Sequence, residues 1–165
     1  MNSIRLVRSS AAIISIGVAA IDGISMSRLE FLVDTGATHT TIPKSTLQES
    51  LGYTNDYIQA NKIFLPENER PIMANGERAD VYKVPITRMT IGEYEIQHDF
   101  ILSSDTVNLS FLLGLDILRY FKFTFDFDAT DEDAPYGKMF YSLRETMRTS
   151  YKKLGESFAH RLSQS

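Results

Sequence analysis

Asp34-Thr35-Gly36 follows the apolar run Phe31-Leu32-Val33 without a break. An aspartate at the end of an apolar strand is costly to bury unless hydrogen bonds or a shared charge compensate it. A chain that places one there, beside a glycine, has a use for the carboxylate. Two such carboxylates held face to face share one proton, because like charges about 3 Å apart cannot both ionise. One then acts as base on a water, while the other, protonated, polarises a carbonyl. In this reading Asp34 carries the reaction. Thr35 fastens the turn through its hydroxyl, and Gly36 lets the backbone approach closely and donates to the carboxylate. The same three residues also occur as an ordinary turn between strands, so the triplet alone leaves both readings open.

One triplet supplies one carboxylate. Its nearest copy, Asp105-Thr106, is followed by Val107, which cannot replace the glycine. A two-carboxylate mechanism therefore needs two chains related by a two-fold axis. A second motif lies downstream, Phe111-Leu112-Leu113-Gly114-Leu115-Asp116-Ile117-Leu118, followed by the strand-like Phe121-Lys122-Phe123-Thr124-Phe125-Asp126-Phe127.

These residues must be held by short strands. Apolar segments recur at 4–7, 11–21, 24–33, 62–65, 79–91, 94–102, 107–113 and 121–127, separated by turn signals such as Asp22-Gly23 and Asn75-Gly76. Short strands at this spacing predict an all-β barrel or sandwich. One or two helical turns fit 45–51, and a short core helix fits 115–121. The acidic stretch around Asp131-Glu132-Asp133 reads as a linker. Beyond it Leu143, Met147, Tyr151, Leu154, Phe158 and Leu162 recur at intervals of three and four. That stripe predicts an amphipathic helix with a basic outer face. The expected organisation is a domain over 1–128, a linker with a short strand or loop over 129–141, and a helical extension over 142–165.

Composition narrows the function classes. The 165 residues are 43% hydrophobic and 23% charged, ordinary values for one globular domain. The net charge of −4 argues against a nucleic-acid partner, which would call for a basic surface. With no cysteine there is no disulfide, thiolate chemistry or Cys-based metal site. His39, His98 and His160 are too far apart for a helical ligand pair, so neither metal nor cofactor is expected. No run approaches the roughly 20 apolar residues of a membrane span, and no membrane partner is expected. Residues 1–20 imitate a secretory signal, yet Ile13 to Ile21 before Asp22-Gly23 reads better as a hairpin strand. The expected location is cytoplasmic, with secretion or the periplasm as the alternative if that segment is a signal.

In the order hairpin, Asp34-Thr35-Gly36-Ala37, second hairpin, two further strands, Leu112-Leu113-Gly114, short helix and last strand, residues 10–128 resemble the retropepsin-like aspartic proteases. The resemblance implies a closed-barrel-like acid protease fold, a homodimer, and cleavage of extended peptide or protein substrates. Asp34, Thr35 and Gly36 take the catalytic places. Ala37 and Thr38 would lie along the substrate backbone. Met73, Ala74, Asn75, Gly76 and Glu77 would close over it as a flap, and Leu112 and Leu113 would line side-chain pockets. The chain departs from the retroviral pattern at Thr38 and Leu115, where an ion pair would stand, and at the flap tip, which lacks multiple glycines. Two other functions fit the residues. One is an inactive, dimeric peptide-binding module, and the other is a structural β-domain whose C-terminal helix binds a partner.

Overall fold

The computed structural model describes residues 2–8, 11–96, 98–144 and 151–153. The central hairpin joins β2 (Ile13–Ala19) to β3 (Met26–Val33), in the register Ile13↔Leu32 to Ala19↔Met26. The Asp22 carboxylate holds its turn by accepting from the amides of Ile24 and Ser25 at 2.8 and 2.9 Å. Inward residues Ile14, Ile16, Val18 and Phe31 are fully buried, while Glu30 and Leu32 face outward. This is the period-two pattern of a strand with one face on the core.

Two short helices follow, α1 (Lys44–Glu49) and α2 (Asn55–Asn61), with Leu47 and Ile58 as their core anchors. The sequence reading found the first and missed the second. The Thr54 side chain caps α2 by accepting from the Tyr57 amide at 3.1 Å, a start signal that was legible. Then come β4 (Ile63–Phe64), a 3-10 turn at Glu67–Glu69, β5 (Val81–Pro85), β6 (Met89–Ile91), β7 (Tyr94–Ile96) and β8 (Phe100–Ser104). The apolar run 79–91 is thus two strands, broken after Pro85. Of 107–113 only β9 (Leu112–Leu113) pairs; Val107 and Leu109 pack on a small cluster around Leu65, Val81 and Leu102. α3 (Leu115–Leu118) and β10 (Phe121–Asp126) follow as expected.

The sheets have the strand orders β4-β5-β8, β7-β6-β2-β3-β9 and, with β1 (Asn2–Arg5) and β11 (Lys138–Leu143), β1-β11-β10. A further strand, β12 (Tyr151–Lys153), extends the central sheet by pairing antiparallel with β7. Bridges from Thr41 to Leu102 and Leu112 link β8 to β9. Among the described strands the ladders are open-ended, with β4 and β12 at the ends of the linked sheets and β1 and β10 at the ends of the third. Packing of Tyr94, Phe121 and Tyr141, with centroids 6.0–6.2 Å apart and Tyr141 edge-on to both other rings, ties β7 to the β10–β11 pair.

The helical extension over 142–165 is corrected where it is described. Leu143 ends β11 opposite Phe121, and residues 151–153 are strand. Lys138 to Ser142 alternates, with Met139 and Tyr141 buried. Pairing with β10 carries the strand on to Ser142 and Leu143, the first residues of the expected helix. Met147, Leu154, Phe158 and Leu162 lie outside the described residues. No helix of the described residues is long and apolar enough to cross a membrane.

Candidate active site

Asp34 is positioned by a strand inserted between two parts of one segment. β9 runs parallel to β3, pairing Leu32↔Leu112 and Val33↔Leu113. The Asp34 amide donates to the Leu113 carbonyl at 3.0 Å. The chain then turns, with Ala37 N donating to Asp34 O at 3.2 Å, and returns along the other side of β9, where Thr41 and Leu112 exchange amide bonds at 2.9 and 3.3 Å. The returning loop crosses directly over Gly114. A Cβ at that position would stand 2.6 Å from the His39 carbonyl carbon and 2.9 Å from the Ala37 oxygen. Glycine is therefore required by the crossing itself.

The same loop caps α3. Leu115 N donates to Ala37 O at 2.8 Å and Asp116 N to Thr38 O at 3.1 Å, satisfying amides that a helix start leaves without partners. Asp116 reaches back. Its carboxylate accepts from the Thr40 amide at 3.0 Å and the Thr40 hydroxyl at 2.8 Å, and that hydroxyl accepts from Gly114 N at 3.1 Å. Burial alone would raise the Asp116 pKa, but the close approach of His98 and the two bonds from Thr40 outweigh it and hold the group below its ordinary value.

The Asp34 carboxylate is half-buried and accepts one hydrogen bond among the described residues, from Gly36 N at 2.8 Å. An ionised carboxylate offers about four lone-pair sites. Most of that capacity is free for a water or a second carboxylate. Thr35, Gly36 and Thr38 around it are exposed, and Ala37 is half-buried.

The near-copy triplet has the opposite surroundings. Asp105 Oδ1 meets Lys44 Nζ and the Tyr82 hydroxyl, both at 2.7 Å; Oδ2 meets Lys62 Nζ at 3.0 Å and Gln59 Nε2 at 3.1 Å. Burial acts to raise its pKa, but these four donors together hold it well below the usual carboxylate range. Tyr82 is shifted upward, chiefly by burial and then by Asp105 itself.

Residues 71–79 form the expected second hairpin. Met73 N donates to Glu77 O at 2.7 Å and Gly76 N to Met73 O at 2.9 Å, with Gly76 at φ +83°. This is a three-residue turn whose last position requires the left-handed conformation. Ala74, Asn75, Gly76 and Glu77 are exposed and Met73 is half-buried. A cavity of about 610 Å³ beneath the tip has Thr106 and Val107 in its wall, and neither Asp34 nor Thr35. A second, of about 530 Å³, joins Thr35 to Leu115, Leu118, Phe121 and Phe123. A third, of about 430 Å³, includes Leu32 and Phe111. Leu112 is half-buried, whereas Leu113 is wholly buried and packs behind the loop, with no surface to offer a peptide. Sequence reasoning passed over Thr40, His98 and Asp116. An aspartate inside the apolar stretch Leu112 to Leu118 was the available signal, since such a group needs buried partners.

No curated protein matches the chain. Among solved structures it is similar to a retropepsin-like aspartic protease from Rickettsia conorii, at 18% identity and a TM-score of 0.49, with 87% of this chain and 92% of that one covered. The family described as “gag-polyprotein putative aspartyl protease” matches residues 19–120, which contain β3, the Asp34 loop, the second hairpin, β9 and α3. The chain belongs to this retropepsin-like family of aspartyl proteases.

Proposed function

We propose that the protein is an aspartic endopeptidase whose active species is a homodimer, with one Asp34 from each chain sharing a proton across the two-fold axis. The supporting observation is the Asp34 carboxylate itself, fixed by backbone pairing on both sides of β9 yet bonded only to Gly36 N among the described residues. A carboxylate so placed can accept a proton from water while its symmetry mate donates to the scissile carbonyl. Thr35 and Gly36 organise the loop. Ala37 and Thr38 lie along the peptide backbone, and residues 73–77 of each chain close over the peptide and exclude water. Leu112 contributes to a side-chain pocket. The domain limits of 1–128 and 129–141 remain part of this proposal. Incubation with a proteome-derived peptide library at several pH values tests it. Wild type should cut internal peptide bonds, and Asp34→Asn should not. A library left intact by wild type at every pH would favour the peptide-binding module.

A further inference from the structure

Polar contacts dominate the segment after Asp34, beside one ring contact of His39 with Phe100, centroids 6.2 Å apart. Thr35, Gly36 and Thr38 are exposed, so packing anchors little of the loop. The bonds from residues 37, 38 and 40 converge on 114–116, and Asp116 is the charged group among them. Its side chain is 9% exposed. His98, from the connection between β7 and β8, brings Nε2 within 3.2 Å of Asp116 Oδ2, at 12% exposure. Among the described residues that nitrogen has no well-aligned hydrogen-bond partner, and the carboxylate is its close polar neighbour. The imidazole is held by Phe100, centroid to centroid 4.8 Å. Three segments distant in sequence thus meet at one carboxylate behind the Asp34 loop.

We propose that Asp116 and His98 are a positioning pair for Asp34: together they clamp residues 37–40 against the start of α3 and fix the direction in which the Asp34 carboxylate faces. This rests on the reading of Asp34 as the reacting group. Asp116 acts directly through Thr40. His98 acts through Asp116, by fixing the carboxylate that grips the loop. Reacting groups must be held to a fraction of an ångström, and a misplacement of about 1 Å can cost on the order of a hundredfold in rate.

The test uses the full chain with Asp116→Asn, His98→Gln and the double variant. Each is assayed for kcat and KM on a cleaved peptide, below its melting temperature. Amide hydrogen exchange is followed at Gly36 and Thr40. Asp116→Asn should lower kcat by about ten- to a hundredfold, with KM within about twofold of wild type. His98→Gln should lower kcat less, and the double variant should be no worse than Asp116→Asn alone, because the two residues act in series. Exchange at Gly36, which neither residue touches, should speed up in both single variants. Unchanged kcat and unchanged Gly36 exchange in a folded His98→Gln or Asp116→Asn protein would overturn the pair, as would kcat losses that multiply in the double variant. If wild type cleaves nothing, the reading of Asp34 fails, and exchange at Gly36 still decides whether the clamp exists.

Discussion

Asp34 and Asp105 both follow the last residue of a strand, and both precede a threonine. Their surroundings could hardly differ more. Asp105 is gripped by Lys44, Lys62, Tyr82 and Gln59, and its charge is fixed. Asp34 has a backbone paired to β9 and a carboxylate that accepts one hydrogen bond among the described residues. A carboxylate surrounded by cations cannot keep a proton near neutral pH, so it cannot share one. The family chemistry needs a group fixed in place and free in charge. The difference comes from the third residue and from the neighbours. Gly36 offers its amide to Asp34, whereas Val107 offers its amide to Ser104 Oγ at 3.1 Å and packs its side chain on the Leu102 cluster.

The largest expected contrast between the two is in turnover. Asp34→Asn should lower kcat by at least about 10³-fold while leaving the melting temperature unchanged within a few degrees. Asp105→Asn should retain turnover per folded molecule. A variant at Asp34 that still cuts would place the reacting carboxylate elsewhere.

Stability should reverse the order. Removing the Asp105 charge leaves Lys44 and Lys62 uncompensated. A fully buried pair costs roughly 3–5 kcal/mol to break; a quarter of this side chain sees water, so about 2–3 kcal/mol is expected. That corresponds to a fall of about 5–10 °C in melting temperature. The pH dependence follows from the sign of the shift. Asp105 is depressed in the folded state, so its contribution is fully present above the unfolded value of about 3.9. It is lost as pH falls below that value toward the folded one. The gap in denaturant midpoint between wild type and Asp105→Asn should be constant from pH 7 to about 5 and close in stronger acid. A gap that widened in acid would mean Asp105 is not held as an anion.

The triplet and the Leu112-Leu113-Gly114 motif were legible because each is local: a strand end, a turn, a glycine where two backbones cross. The Asp105 cluster was not, because its partners come from α1, α2, the residue before β4, and β5. Nor was the grip of His98 on Asp116, which joins a connection after β7 to the start of α3. At the tail, Leu143 and residues 151–153 stand in strands and not in the expected helix. Lys138 to Ser142 carries a period-two pattern, and only the pairing of Leu143 with Phe121 of β10 shows that the strand runs on to the residue where the three-and-four spacing begins.

A smaller effect isolates the third residue. Val107→Gly restores the letters of the triplet at Asp105 without altering its four donors. It should cost about 1–2 kcal/mol through lost packing and backbone freedom. Combined with Asp34→Asn, it should restore no measurable cleavage in a peptide assay. Rescue there would show that the triplet suffices without a free carboxylate.

The central claim is that two copies of Asp34 make one site. Wild type and Asp34→Asn, co-refolded at constant total protein, test it directly. Two-fold pairing predicts that activity follows the square of the wild-type fraction, so an equal mixture retains about a quarter of the rate. A linear fall, with about half retained, would mean that each chain works alone, and the shared-proton account would be wrong.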